Sequence, residues 1–238
     1  MNVLVVGGNG YVGSIFLPVL DAAHRCQVLD MKFNPARTTN CLIGDACDAG
    51  TAELAMMGQD CVIHCALGVR ALYPNETDTI ESAFRAHVES VYVMLHAARR
   101  AGVRRFIYVS SLSVYERIGK RTRFLDESVP PDEWRPYGFS KRAGEYVCQA
   151  FSQHFSSMSI LSLRLMYPRN EADWPGNESV PGALWHPLGP NDTRDLVVAA
   201  VAYEQPGFTV VQASGDLTQS VYGCEGVRRA LGWMPKGR

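Results

Sequence analysis

Short apolar runs alternate with helical patterns over the first 165 residues of the chain. Residues 3–6 (VLVV), 26–30 (CQVLD), 41–43 (CLI), 61–66 (CVIHCA), 106–110 (FIYVS) and 160–165 (ILSLRL) read as strands. They are apolar nearly throughout, as strands must be when both faces of a sheet are covered. Between them, residues 12–23, 51–57, 78–101 and 138–155 read as helices, although Pro18 interrupts the first. In 78–101 the apolar residues Ile80, Phe84, Val88, Val91, Leu95 and Ala98 keep close to the helical period, and Gly102 ends the run. Strands that alternate with helices predict right-handed crossovers and an α/β fold built on a doubly wound parallel sheet. Beyond residue 167 the pattern loosens. Residues 168–192 hold five prolines and three glycines and read as loop. A helix returns at 193–204, a strand at 208–212 and a short helix near 223–231. There is no internal repeat and no low-complexity tract.

Composition narrows the class. The chain has 238 residues, of which 47% are hydrophobic, and a formal net charge of -1. Near-neutral charge argues against nucleic acid as a partner. No run of 18 uncharged apolar residues exists, so no membrane span is expected. The N-terminal stretch MNVLVVGGNGYVG lacks a basic segment and a cleavage site, so it does not read as a secretory signal. Seven cysteines, an odd number, fit a reducing cytoplasm better than a disulfide framework.

The first strand runs into Gly7-Gly8-Asn9-Gly10-Tyr11-Val12-Gly13, and a helix follows. Gly7, Gly10 and Gly13 have the spacing G-x-x-G-x-x-G. Glycine is needed where the turn is tight and where backbone approaches a pyrophosphate. The helix N-terminus, at Tyr11 and Val12, then offers free N–H groups and a positive dipole end. Asp30 ends the second strand. A carboxylate there would accept a ribose 2′-OH and repel a 2′-phosphate, which favours NAD, without excluding NADP, since Lys32 and Arg37 lie nearby. Asp45 is a candidate contact for the adenine end, or else a turn or capping aspartate. Ala66 is small enough to let a ribose sit against the fourth strand. His64 reads as a partly buried structural histidine rather than a catalyst. Cys61 and Cys65 face one side of that strand and His64 the other, so they make a poor metal site and read as small buried hydrophobes.

Tyr137-Gly138-Phe139-Ser140-Lys141 places a phenol and an ammonium four residues apart, on one helix face. A free tyrosine titrates near pH 10, and a neighbouring cation favours its phenolate. Lowering that value by about three units requires about 4 kcal/mol of differential stabilisation. Ser110, Ser111 and Ser113 follow the fifth strand, where α/β sheets bind ligands. Ser111 is placed to hydrogen-bond a substrate oxygen.

GGNGYVG, VIHCA, RRFIYVSSLSVYE and YGFSKRAGE together resemble the short-chain dehydrogenase/reductase superfamily, in its extended, NAD-dependent epimerase/dehydratase branch. The compact C-terminal portion and the ending LGWMPK are similar to uronate dehydrogenases, although the Asn-His that follows the catalytic serine there is replaced by Leu112-Ser113. The resemblance implies a Rossmann-type sheet that binds NAD(P), and a homodimer through the helices at 78–101 and 138–155. By position it makes Tyr137, Lys141 and Ser111 the catalytic residues, and it puts Tyr137 and Lys141 in the cofactor site as well. Glu116 stands where glycine is common, and His87 where asparagine is common. Residues 164–168 only approximate the usual Arg-x-x-x-x-Tyr-Gly-Pro.

The expected organisation is a nucleotide-binding, catalytic core over 1–167. A reduced substrate-binding portion over 168–238 would pack on it without forming an independent domain. The expected activity is NAD-dependent oxidation or epimerisation of a sugar, sugar acid or nucleotide-sugar, with a small-molecule carbohydrate as partner. The alternative is a non-catalytic NAD(P)-binding regulatory protein on the same fold. Ser113, Arg164 and Tyr167 are further substrate candidates. Arg164 could equally be a structural partner on the sixth strand, and Arg169 is a similar cation nearby. Arg117, Lys120, Arg121 and Arg123 form a loop that could receive an anion, or simply face solvent.

Overall fold

The computed structural model describes residues 1–35, 40–68, 77–116, 118, 125–174 and 186–237. Arg37 and the basic residues Arg117, Lys120, Arg121 and Arg123 lie outside this set. Seven parallel strands form one sheet: β1 Asn2–Val6, β2 Arg25–Asp30, β3 Cys41–Ile43, β4 Cys61–His64, β5 Arg105–Ser111, β6 Ser159–Leu165 and β7 Gly207–Ala213. Their order is β3-β2-β1-β4-β5-β6-β7. This is the doubly wound Rossmann-type α/β fold expected from the alternation. β7 pairs along β6 from Ser159↔Gly207 to Leu165↔Ala213, so the last strand completes the same sheet.

Alternation along each strand builds a core on either face. Val3, Val5, Ile107, Val109, Leu161 and Leu163 point to one side, where helices α1 Tyr11–Ala23, α6 Pro190–Val201 and α7 Glu225–Leu231 cover them. Leu4, Val6, Val62, Phe106 and Tyr108 point to the other, under α2 Ala49–Met56, α4 Ser90–Arg100 and α5 Pro136–His154. Cys61 and Cys65 belong to the first core, and His64 lies against the Phe106 and Tyr108 rings of the second. All seven cysteines are free thiols. Pro18 does not break α1. It sits on the exposed side of the helix, where the carbonyl it leaves without a partner can reach water.

The expected single helix over 78–101 has a defect. α3 Thr77–Phe84 and α4 are joined by a π-helical turn, Arg85–Glu89. A π turn adds a residue and rotates the inward face. Before and within it, the buried positions are Ala83 and His87, not Ile80, Phe84 and Val88; after it, Val91, Leu95 and Ala98 face inward as expected. α4 ends at Gly102, whose φ of 76° is the left-handed conformation that closes helices. Among the described residues no helix is long and apolar enough to cross a membrane.

Candidate active site

The strand order reverses between β1 and β4, and in such sheets the crevice beyond the carboxyl ends at that point takes the ligand. Here it opens as a cavity of about 1440 Å³. The glycine turn forms its floor. Gly7 has φ 79°, and a Cβ there would lie 2.4 Å from the Ala66 Cα. A Cβ on Gly13 would lie 2.4 Å from the Gly8 carbonyl oxygen, so this glycine lets α1 close on the turn. Gly10 caps α1 without any side-chain hydrogen bond, and the first-turn N–H groups at Tyr11, Val12 and Gly13 are left for a ligand. Tyr11 also reaches out of the turn: its hydroxyl donates to Asp173 (2.7 Å) and accepts from the Asn170 N–H (3.1 Å).

Asp30 stands at the end of β2 and accepts from the N–H groups of Asn9 and Lys32, both at 3.0 Å. Asp45 lines the cavity and is also a turn residue. Its carboxylate accepts from the Cys47 N–H (2.8 Å) and from Arg85 (2.8 Å). Burial opposes the charge on Asp45, but these donors outweigh it and hold the carboxyl below its ordinary value. The Arg85 partner, forty residues away, has no signal in the sequence. The cradle of close-packed glycines, open helix N-terminus and strand-end carboxylate fits a dinucleotide with an unmodified ribose.

The other half of the cavity is built where α5 meets the end of β5. A Cβ on Gly138 would lie 2.0 Å from the Ser113 carbonyl oxygen, so the first turn of α5 rests directly on the serine turn. Glu133 fixes that start, accepting from the N–H groups of Trp134 and Arg135 at 2.9 Å. Ser111, Ser113, Tyr137, Lys141 and Tyr167 all line the cavity. Ser111 Oγ accepts from the Ser113 N–H (3.0 Å), which leaves its own O–H to donate into the cavity. Lys141 is buried and its Nζ donates to the Val109 carbonyl at 2.8 Å. Desolvation pulls its pKa down to about 8, against the opposing influence of Cys65 and Glu145.

Two buried histidines flank Lys141. His87 Nδ1 is 2.8 Å from Ser140 Oγ, and Ser140 donates to the Tyr137 carbonyl at 2.9 Å. A hydroxyl has one proton, so His87 is the donor to Ser140. By the same logic His64 Nε2 donates to Ser90 Oγ (2.8 Å), which itself donates to the Ala86 carbonyl. Burial, reinforced by Lys141, lowers His64 to about 3 and His87 well below its ordinary range, so both are neutral. His64 is thus the structural histidine its pattern suggested.

Arg164 is a correction. It does not line the cavity. Its guanidinium pairs with buried Glu145 at 2.7 Å and donates to the Tyr115 hydroxyl at 2.6 Å. Glu145 also accepts from Ser110 Oγ (2.7 Å), which commits that hydroxyl proton to the buried pair. The cation that does reach the cavity from this region is Arg169.

A doubly wound sheet whose switch-point cavity is lined by a glycine turn, a serine, a tyrosine and a lysine has the architecture of a dinucleotide-binding fold. The chain belongs to the NAD dependent epimerase/dehydratase family, whose model matches residues 3–173. It is similar to a 3 beta-hydroxysteroid dehydrogenase/Delta 5-->4-isomerase of Mycobacterium tuberculosis, with 34% identity over 54% of this chain and 36% of the relative. It also resembles the N-acetyl-alpha-D-glucosaminyl-diphospho-ditrans,octacis-undecaprenol 4-epimerase of Escherichia coli O157:H7, with 30% identity over 61% of this chain and 42% of the relative. The chain therefore spans well under half the length of these relatives. Among solved structures, a mutated uronate dehydrogenase superposes with a TM-score of 0.80 and 26% identity, covering 99% of this chain and 81% of that one.

Proposed function

We propose that this protein is an NAD-dependent oxidoreductase or epimerase acting on a sugar, sugar acid or nucleotide-sugar, with Tyr137 moving the hydroxyl proton. The observation that carries this reading is the convergence of Tyr137, Lys141 and Ser111 with the glycine cradle in one cavity. The α1 N-terminus at Gly10 to Gly13 would hold the pyrophosphate and Asp30 the adenosine ribose, which favours NAD over NADP. Asp45 and Ala66 would border the adenine and the second ribose. When bound, the dinucleotide supplies the hydride acceptor or donor.

The chain's own residues handle the proton. Tyr137 Oη takes it from the substrate hydroxyl as that carbon is oxidised. The buried Lys141 ammonium favours the phenolate, because a cation in a poorly solvated site acts strongly on a neighbouring charge. Ser111 donates to the reacting oxygen and fixes its direction. Ser113 and Tyr167 border the substrate. In the same reading the protein works in the cytoplasm and pairs with a second copy through α3–α4 and α5, where Tyr92, Phe139 and Tyr146 are exposed.

The test is a panel of free uronates, nucleotide-sugars and a 3β-hydroxysteroid, with NAD and NADP, followed by absorbance of reduced cofactor and by product analysis. Sugar conversion that falls at least about 100-fold in Tyr137→Phe supports the reading. NAD binding with no conversion of any sugar leaves a non-catalytic nucleotide-binding protein, and full turnover by Tyr137→Phe removes the tyrosine from the chemistry.

A further inference from the structure

Four cations among the described residues line the cavity, and Lys32 stands at its ribose end beside Asp30. Arg85 is paired with Asp45 (2.8 Å), and Lys141 is bonded to the Val109 carbonyl. Arg169 differs. Among the described residues no carboxylate forms an ion pair with it, yet it lines the cavity with Ser111 and Tyr137.

Its position is built. Leu165 pairs in register with Ser111 at the ends of β6 and β5, so Arg169 leaves the sheet on the serine's own rim. The intervening backbone is fastened on both sides: Met166 N–H donates to Ala213, Leu188 N–H to Met166 and Arg169 N–H to Leu188, each at 2.9 Å. Tyr167 has φ 42°, a left-handed conformation that a bulky residue adopts only where its surroundings impose it. That conformation belongs to the residue whose ring receives the Arg169 guanidinium, 4.5 Å from the centroid. A guanidinium stacked on an aromatic face keeps its donor edge free and aimed, which suits two-point recognition of a carboxylate or phosphate.

We propose that Arg169 receives an anionic group of the substrate, so that the site takes an acidic sugar in preference to a neutral sugar or an apolar alcohol. This rests on the reading of the Tyr137 cavity as a sugar oxidoreductase or epimerase site. The cofactor's pyrophosphate is the other anion within reach, because the Arg169 charge also acts on Tyr11 at the glycine turn.

The experiment compares wild type with Arg169→Gln and Arg169→Lys, using NAD, D-glucuronate, glucose 1-phosphate and D-glucose as calorimetric probes. Sugars are titrated into the protein–NAD complex, and NAD into the free protein. Expected is a preference of wild type for an acidic sugar over D-glucose. That preference should fall about 10–100-fold in Arg169→Gln, as for a lost hydrogen-bonded charge. Arg169→Lys should recover only part, since lysine cannot make the two-point contact. NAD affinity should stay within about twofold. No preference for either acid in wild type overturns the proposal. So does an equal loss for acidic and neutral sugars, which marks a structural role, or a loss confined to NAD, which assigns Arg169 to the pyrophosphate. Binding is read without turnover, so acid-selective binding that depends on Arg169, with no conversion of any sugar, would sink the enzymatic reading and leave this one standing.

Discussion

The imidazole of His87 meets the ring of Tyr137 edge-on, with 5.6 Å between centroids and 77° between planes. The same imidazole donates to Ser140, which donates to the Tyr137 carbonyl. His87 stands in the π-helical turn, the one irregular turn of the α3–α4 helix. It therefore holds both the ring and the backbone of the tyrosine. His87→Phe keeps an aromatic ring but removes the donor, and should lower kcat about 10–100-fold through misplacement of Tyr137. His87→Asn, whose amide can still donate to Ser140, should recover part of the loss. Steady-state kinetics on a converted sugar checks this, and an unchanged kcat in His87→Phe would leave the histidine a packing residue only.

Lys141 makes stability depend on pH in a stated direction. Burial lowers its folded-state pKa from the ordinary 10.5 to about 8. Between those values the unfolded chain binds the proton and the folded protein does not, so stability rises with pH across that window. Below about pH 8 the fold bears the full cost of the buried ammonium. Lys141→Met removes the titration. The urea midpoint of wild type, measured against this variant, should climb from pH 8 to 10.5. A flat difference would mean that the lysine titrates alike in both states.

Glu145 and Arg164 form a buried pair whose loss is structural. Removing either partner leaves an uncompensated charge in the core, and Arg164→Ala should cost about 3–5 kcal/mol in a urea titration. The ratio of glucuronate to glucose affinity should stay at its wild-type value in any folded fraction. A collapse of that ratio would return Arg164 to the substrate site.

Gly138 and Gly7 separate chemistry from cofactor binding. Gly138→Ala drives a Cβ into the Ser113 carbonyl, which should part the serine turn from Tyr137 and lower kcat at least about 10-fold. Gly7→Ala imposes a strained φ and a clash with Ala66, and should instead abolish NAD binding measured by calorimetry. Comparable kcat for Gly138→Ala and wild type would show that the helix start can shift without consequence.

The pattern of apolar runs located all seven strands to within a few residues, and the two glycine-bearing motifs located the glycine turn before α1 and the tyrosine turn that opens α5. Those features are local. A strand's alternation, a helix's period and a turn's need for glycine act between residues one to four apart, so each leaves its mark in a short stretch of chain. The doubly wound parallel sheet followed from the same signals, since alternating strands and helices admit few right-handed arrangements, and the strand order came from the structure.

What the cavity wall does with its charges was decided only in three dimensions. Arg164 and Arg169 stand five positions apart on the same segment and look alike in sequence. One is turned inward to Glu145, and the other is stacked on Tyr167 at the cavity rim. Asp45 finds Arg85, and the π-helical turn brings His87 to Ser140. The Arg164–Glu145, Asp45–Arg85 and His87–Ser140 pairs are assembled by packing between residues 19 to 53 positions apart. A side chain's partner is set by which faces meet and what remains unsatisfied there, and that depends on the whole fold. The sequence by itself determined the sheet, the glycine turn and the tyrosine–lysine turn; the tertiary structure decided that Arg164 is buried in an ion pair while Arg169 lines the cavity.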